Sequence, residues 1–157
     1  MEKTNSYTYF TIQSNGELDD KLIFQTTEAG VFDPDDITKM LCIEPFRKWK
    51  KGDIRGNVKV DENHPRFRYS FSYWSAEKSD IYKCDINKQC LDTIKNLKHK
   101  IPELLKIKSL YDVKSKIVIV PHIYNAEQPF IYFGKEIIEF CYLTDTEIDA
   151  DIYVYNE

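Results

Sequence analysis

Near its end the chain reads EIDADIYVY: Glu147, Asp149, Asp151, Tyr153 and Tyr155 fall at every second position, with Ile148, Ala150, Ile152 and Val154 between them. Strict alternation marks a strand with two unlike faces, because successive side chains of extended backbone point opposite ways. Such a strand needs a sheet covered on one side and wet on the other, which argues against a sheet buried on both faces. The aliphatic set, Ile148, Ile152 and Val154, is expected to pack inward while the acids face water. Same-face acids lie about 6–7 Å apart, and in water each repulsion costs well under about 1 kcal/mol.

The same two-residue period recurs. Tyr7–Gln13 (YTYFTIQ) reads as a strand, LIFQTT from Leu22 as its hairpin return, and RFRYSFSYW from Arg66 as a strong aromatic strand. FRKWKKGDIRGNVKV gives a strand, a turn at Gly52-Asp53 and a second strand, while PFIYF from Pro129 gives another. KIVIVPHI, from Lys116 to Ile123, reads as a buried strand whose Pro121 places its end at a sheet edge or bulge.

Between these runs the period changes to 3.6. Asp33 is positioned to cap a short helix that has Pro34 in its first turn and Pro45 as its stop. From Asp85 the apolar residues Ile86, Cys90, Ile94, Leu97 and Ile101 form one stripe, predicting a long amphipathic helix interrupted at Pro102. GKEIIEFCYL predicts a further helix with Ile137, Phe140 and Cys141 inward. Residues 1–157 therefore read as a single α+β domain: a largely antiparallel, twisted sheet of about five or six strands, with one long and two short helices packed on one face.

A chain of 157 residues buries roughly 70 per cent of its unfolded surface, and 42% apolar content supplies the material. The longest apolar run is far short of the roughly 20 residues that span a bilayer. Cys42, Cys84, Cys90 and Cys141 form no C-x-x-C pair, and MEKTNSYTYF is polar and then strand-like, so reduced thiols and a cytoplasmic location are expected. A formal net charge of −4 weighs against nucleic acid as a partner.

Two charged constellations stand out. The acidic row Glu147, Asp149 and Asp151, rimmed by Tyr153 and Tyr155, either is a solvated outer face or presents acids and aromatic anchors to a basic protein partner. A straight strand spreads carboxylates apart, so no metal site is expected. The basic segment Arg47, Lys48, Trp49, Lys50 and Lys51 can cradle a phosphate or single strand, or can blunt a sheet edge and pair with the acidic strand; the second reading leads. His64, His99 and His122 show no zinc spacing and no nucleophile signature, so no catalytic residue and no cofactor is assigned. Trp74 is expected in the core, with a groove beside its strand as the first place to look for a small ligand.

Asp35, Ile37, Thr38, Leu41 and Pro45, followed by Lys51-Gly52-Asp53 and the closing strand around Asp149, Asp151 and Tyr153, resemble the bacterial family known as domain of unknown function 4279. The likeness implies a small bacterial α+β protein with no assigned reaction. The likeness also brings an association of gene context: members of such families often sit beside secreted-toxin genes, where small acidic neighbours act as immunity proteins. The expectation is thus a non-catalytic binding protein that neutralises a toxin through its acidic and aromatic surface. The alternative is a small-ligand-binding protein or hydrolase using His122 with nearby carboxylates or Cys141.

Overall fold

The computed structural model describes residues 2–56 and 59–156. In chain order it contains β1 (Asn5–Ser14), β2 (Gly16–Leu18), β3 (Phe24–Thr26), a 3-10 turn, α1 (Pro34–Leu41), β4 (Arg47–Trp49), β5 (Tyr73–Ser75), α2 (Ile86–Ile94), α3 (Ile101–Leu110), β6 (Val113–Tyr124), α4 (Lys135–Thr144), β7 (Thr146–Ala150) and β8 (Tyr153–Tyr155). The main sheet has the order β4-β5-β1-β6-β7, with β8 also paired to β6, and β2-β3 form a separate two-stranded sheet. The fold is α+β as expected, but the sheet is mixed. Its first pairings are antiparallel, whereas β7 and β8 run parallel to β6 because α4 carries the chain back to the start of the sheet.

Alternation along β1 sets the layers. Ser6, Thr8, Phe10, Ile12 and Ser14 are buried beneath the helices, while Tyr7, Tyr9 and Gln13 look the other way. Phe10 and Ile12 join Ile117 and Ile119 of β6 in one core with Ile37, Leu41, Cys90, Ile94, Leu104, Ile107, Ile137 and Phe140 from the four helices. Trp74 is fully buried there, as expected, and its indole N–H donates to the Thr38 hydroxyl at 3.0 Å. A polar seam joins α2 to β1: the Ser6 hydroxyl donates to Gln89 Oε1, Gln89 Nε2 donates to the Ser6 carbonyl, and the Thr8 and Thr93 hydroxyls meet at 2.7 Å.

Several elements differ from the sequence reading. The interruption expected at Pro102 is present as the fresh start of α3, where Pro102, which lacks an N–H, falls in the first turn, but the first helix ends earlier than read: Leu97, Lys98 and Lys100 close turns onto Ile94 and Leu97. α1 is capped by Asp33 as read, but it ends at Leu41 with Cys42 left-handed rather than at Pro45. Of RFRYSFSYW only Tyr73 and Trp74 are strand, the first two residues of β5. The backbone of Phe67 and Tyr69 bonds instead to the preceding loop at Gly52, Asp53 and Arg55.

LIFQTT pairs through β3 with β2, not with β1. In PFIYF only Phe130 makes a bridge, to Asp85. The second strand read after Gly52 includes residues 57 and 58, which lie outside the described residues. Pro121 lies inside β6 and not at its end. Its missing donor falls opposite the gap between Ala150, the last residue of β7, and Tyr153, the first of β8.

Candidate functional site

The face of the sheet that carries no helices is the candidate site. Register places Tyr9 beside Val118, Thr11 between Ser75 and Lys116, and Gln13 beside Tyr73. The outer strands continue the surface, with Arg47 and Trp49 at one edge and Glu147 and Asp149 at the other.

At the C-terminal edge Glu147, Asp149 and Asp151 are exposed, as the alternation requires. Two of them are engaged. Lys116 reaches Asp149 at 2.9 Å, and the Tyr153 hydroxyl donates to Asp151 at 2.9 Å, which raises the Tyr153 pKa. Glu147 makes no ion pair among the described residues. Next to the acids lies a stack: Tyr153 on His122 (5.0 Å, 11°), His122 on Tyr155 (5.8 Å, 6°) and Tyr155 on Tyr124 (4.5 Å, 11°), with His122 Nδ1 3.1 Å from the Tyr155 hydroxyl. Parallel pairing with β6 makes this ladder, since His122 and Tyr124 share register with Tyr153 and Tyr155.

The aliphatic partners of the acids do not pack inward. Ile148, Ile152 and Val154 are 38%, 52% and 62% exposed, because β7 and β8 form the sheet's outer edge and the buried contact with α4 ends at Thr144 and Thr146. The edge is therefore exposed on both faces.

Alternation divides the basic segment. Lys48 projects to the helix side and bonds Asp35 at 2.5 Å, which holds the Asp35 carboxyl below its ordinary range. Trp49 lies on the open face, stacked between Tyr69 (4.2 Å, 11°) and Tyr73 (4.3 Å, 11°). Both indole faces are thus occupied, so Trp49 offers no platform for a nucleic-acid base. Lys50 and Lys51 belong to the turn: the Lys50 amide donates to Asp53, and the Lys51 ammonium to the Thr26 carbonyl. The expected pairing of this segment with the acidic strand does not form, because β4 and β7 occupy opposite edges.

Tyr9 and Tyr73 line two clefts in the open face. One, of about 200 Å³, is bounded by Tyr7, Phe46, Arg47, Ser75 and Lys78. The other, of about 310 Å³, is bounded by Thr11, Gln13, Lys116, Asp149 and Asp151, and the buried Thr11 hydroxyl has no partner among the described residues. Burial pushes the Tyr9 phenol up to about 12, assisted by Tyr73, Tyr7 and Asp151, and burial raises Tyr73 as well. Both phenols therefore keep their protons at neutral pH and can donate hydrogen bonds. The groove anticipated beside the Tyr73 strand is present. The roles of Tyr7, Tyr9 and Lys78 were missed, although the odd phase of YTYFTIQ was available to find the tyrosines.

His122 and Cys141 do not come together. His122 stacks among tyrosines on the open face, whereas Cys141 packs against the core on the helix side, with the sheet between them. His64 accepts from the Arg66 amide in its own turn. Among the described residues no three His, Cys, Asp or Glu side chains converge as a metal site, and no helix is long and apolar enough to cross a membrane.

The family model described as Domain of unknown function (DUF4279) matches residues 5–155. No curated protein and no solved structure matches the chain.

Proposed function

Because the chain belongs to this family of unknown function, which brings no reaction with it, we propose from the site itself that the protein is a non-catalytic binding protein whose C-terminal edge takes up a basic protein partner. The supporting observation is the conjunction at β7 and β8: exposed Glu147, Asp149 and Asp151 stand beside Tyr153 and Tyr155, which are already fixed by stacking on His122 and Tyr124. Rigid aromatic groups give contact area with little ordering cost, and the carboxylates steer the encounter. Exposed Ile148, Ile152 and Val154 add apolar area to the same edge. Neutralisation of a toxin, as by an immunity protein, is the specific form of this reading.

The test is affinity capture from the native host with the wild type and with the variant Glu147→Ser, Asp149→Ser, Asp151→Ser side by side. A basic protein is expected on the wild type and not on the variant, and with that protein purified, association is slower and less salt-dependent for the variant. Equal retention by both would place the interface elsewhere.

A further inference from the structure

A second site lies across the open face from the acidic edge. In a chain with net charge −4, Arg47 and Lys78 border the same cleft, and neither forms an ion pair among the described residues. Aromatic rings hold both cations instead: the Arg47 guanidinium lies 6.0 Å from the Phe46 ring and the Lys78 ammonium 4.9 Å from the Tyr7 ring. A ring face satisfies a cation electrostatically but accepts no more than a weak hydrogen bond, so the N–H donors remain available. The Tyr9 and Tyr73 side chains complete the wall, and the Arg47 charge is close enough to act on both phenols.

We propose that this cleft binds a small aromatic oxyanion, its carboxylate or phosphate held by Arg47 and Lys78 and its ring lodged among Tyr7, Tyr9 and Phe46. Two cations and adjacent phenol donors match an oxyanion's need for several charge-assisted hydrogen bonds. Size agrees with the ring: the cleft measures about 200 Å³, and a cavity of roughly 150 Å³ is enough for benzene. The site is independent of the protein partner proposed above, because it uses the β4-β5 side of the sheet rather than β7 and β8.

The experiment is an amide NMR titration of the intact protein with phenyl phosphate and, separately, with benzoate, using inorganic phosphate, acetate and benzamide as single-feature controls. Saturable shifts at Arg47, Ser75 and Lys78 are expected from at least one aromatic anion, with each control at least about tenfold weaker. The stronger of the two aromatic anions identifies the preferred headgroup. The variant Arg47→Gln, Lys78→Gln alters two exposed side chains, so it should fold with an unchanged dispersed spectrum and bind at least about tenfold more weakly. Absence of saturable shifts, wild-type affinity in the variant, or equal binding of inorganic phosphate would each overturn the proposal.

Discussion

The Lys116 ammonium sits 2.9 Å from the Asp149 carboxylate on the adjoining strand, with the lysine side chain 18% exposed and the aspartate 53%. Of the acidic row, Asp149 therefore has a structural task that Glu147 lacks. Replacing Asp149 by Ser leaves a largely desolvated cation without its partner and should cost about 1 kcal/mol, while Glu147→Ser should stay within about 0.5 kcal/mol. Urea unfolding of the two single variants measures the difference, and a larger loss at Glu147 would contradict the pairing.

The two tryptophans should separate sharply in stability. Trp74 is fully buried and hydrogen-bonded to Thr38, so Trp74→Ala should cost about 3–5 kcal/mol. Trp49 stacks on the open face, where the two tyrosine contacts contribute about 0.5–1.5 kcal/mol each beyond buried area. Trp49→Ala should therefore be the milder change in the same denaturation assay.

Tyr9 predicts a loss of stability in alkali. Its phenol has an ordinary value of 10.0 and is pushed up to about 12 in the fold, chiefly by burial. Between those values the folded state retains a proton that the unfolded chain releases. Stability that is whole below pH 10 is thus lost as pH rises towards about 12. The unfolding midpoint should fall across that window, and less steeply in Tyr9→Phe. Phenolate absorbance should show one late-titrating tyrosine missing from the variant.

Thiol labelling under native conditions should rank the cysteines by access. Cys42 is exposed and reacts first. Cys84 and Cys141 follow, their pKa values raised by burial, with the Cys84 thiol donating to the Thr4 carbonyl. Cys90 is fully buried and pushed up to about 12, so it should react only when the chain unfolds. Peptide mapping after timed alkylation gives the order.

What could be read from the sequence was what neighbouring residues decide. The phase of β1, the Asp33 cap and the inward side of α4 are local properties, and each appears in the fold. The helix break was legible in Pro102, but its position was not, because the apolar stripe keeps its spacing through Leu97 to Ile101 even though the chain turns there. The aromatic alternation at residues 66–72 misled because a stack around Trp49 uses the same residue types as a strand.

The exposure of Ile148, Ile152 and Val154 depends on where β7 and β8 fall in the sheet order, which alternation alone does not encode. The acidic half of the candidate site was therefore legible from phase. The cationic cleft was not, since it joins Lys78 to Arg47 across a pairing between segments far apart in sequence.

The gap in the closing edge opposite Pro121 divides the pairing of the final residues from that of the residues before them. With no ladder running unbroken from Thr146 to Tyr155, β8 rests on its own three-residue pairing with β6 and on its own ring stack. The aromatic half of the edge is thus anchored to β6 independently of the carboxylates of β7.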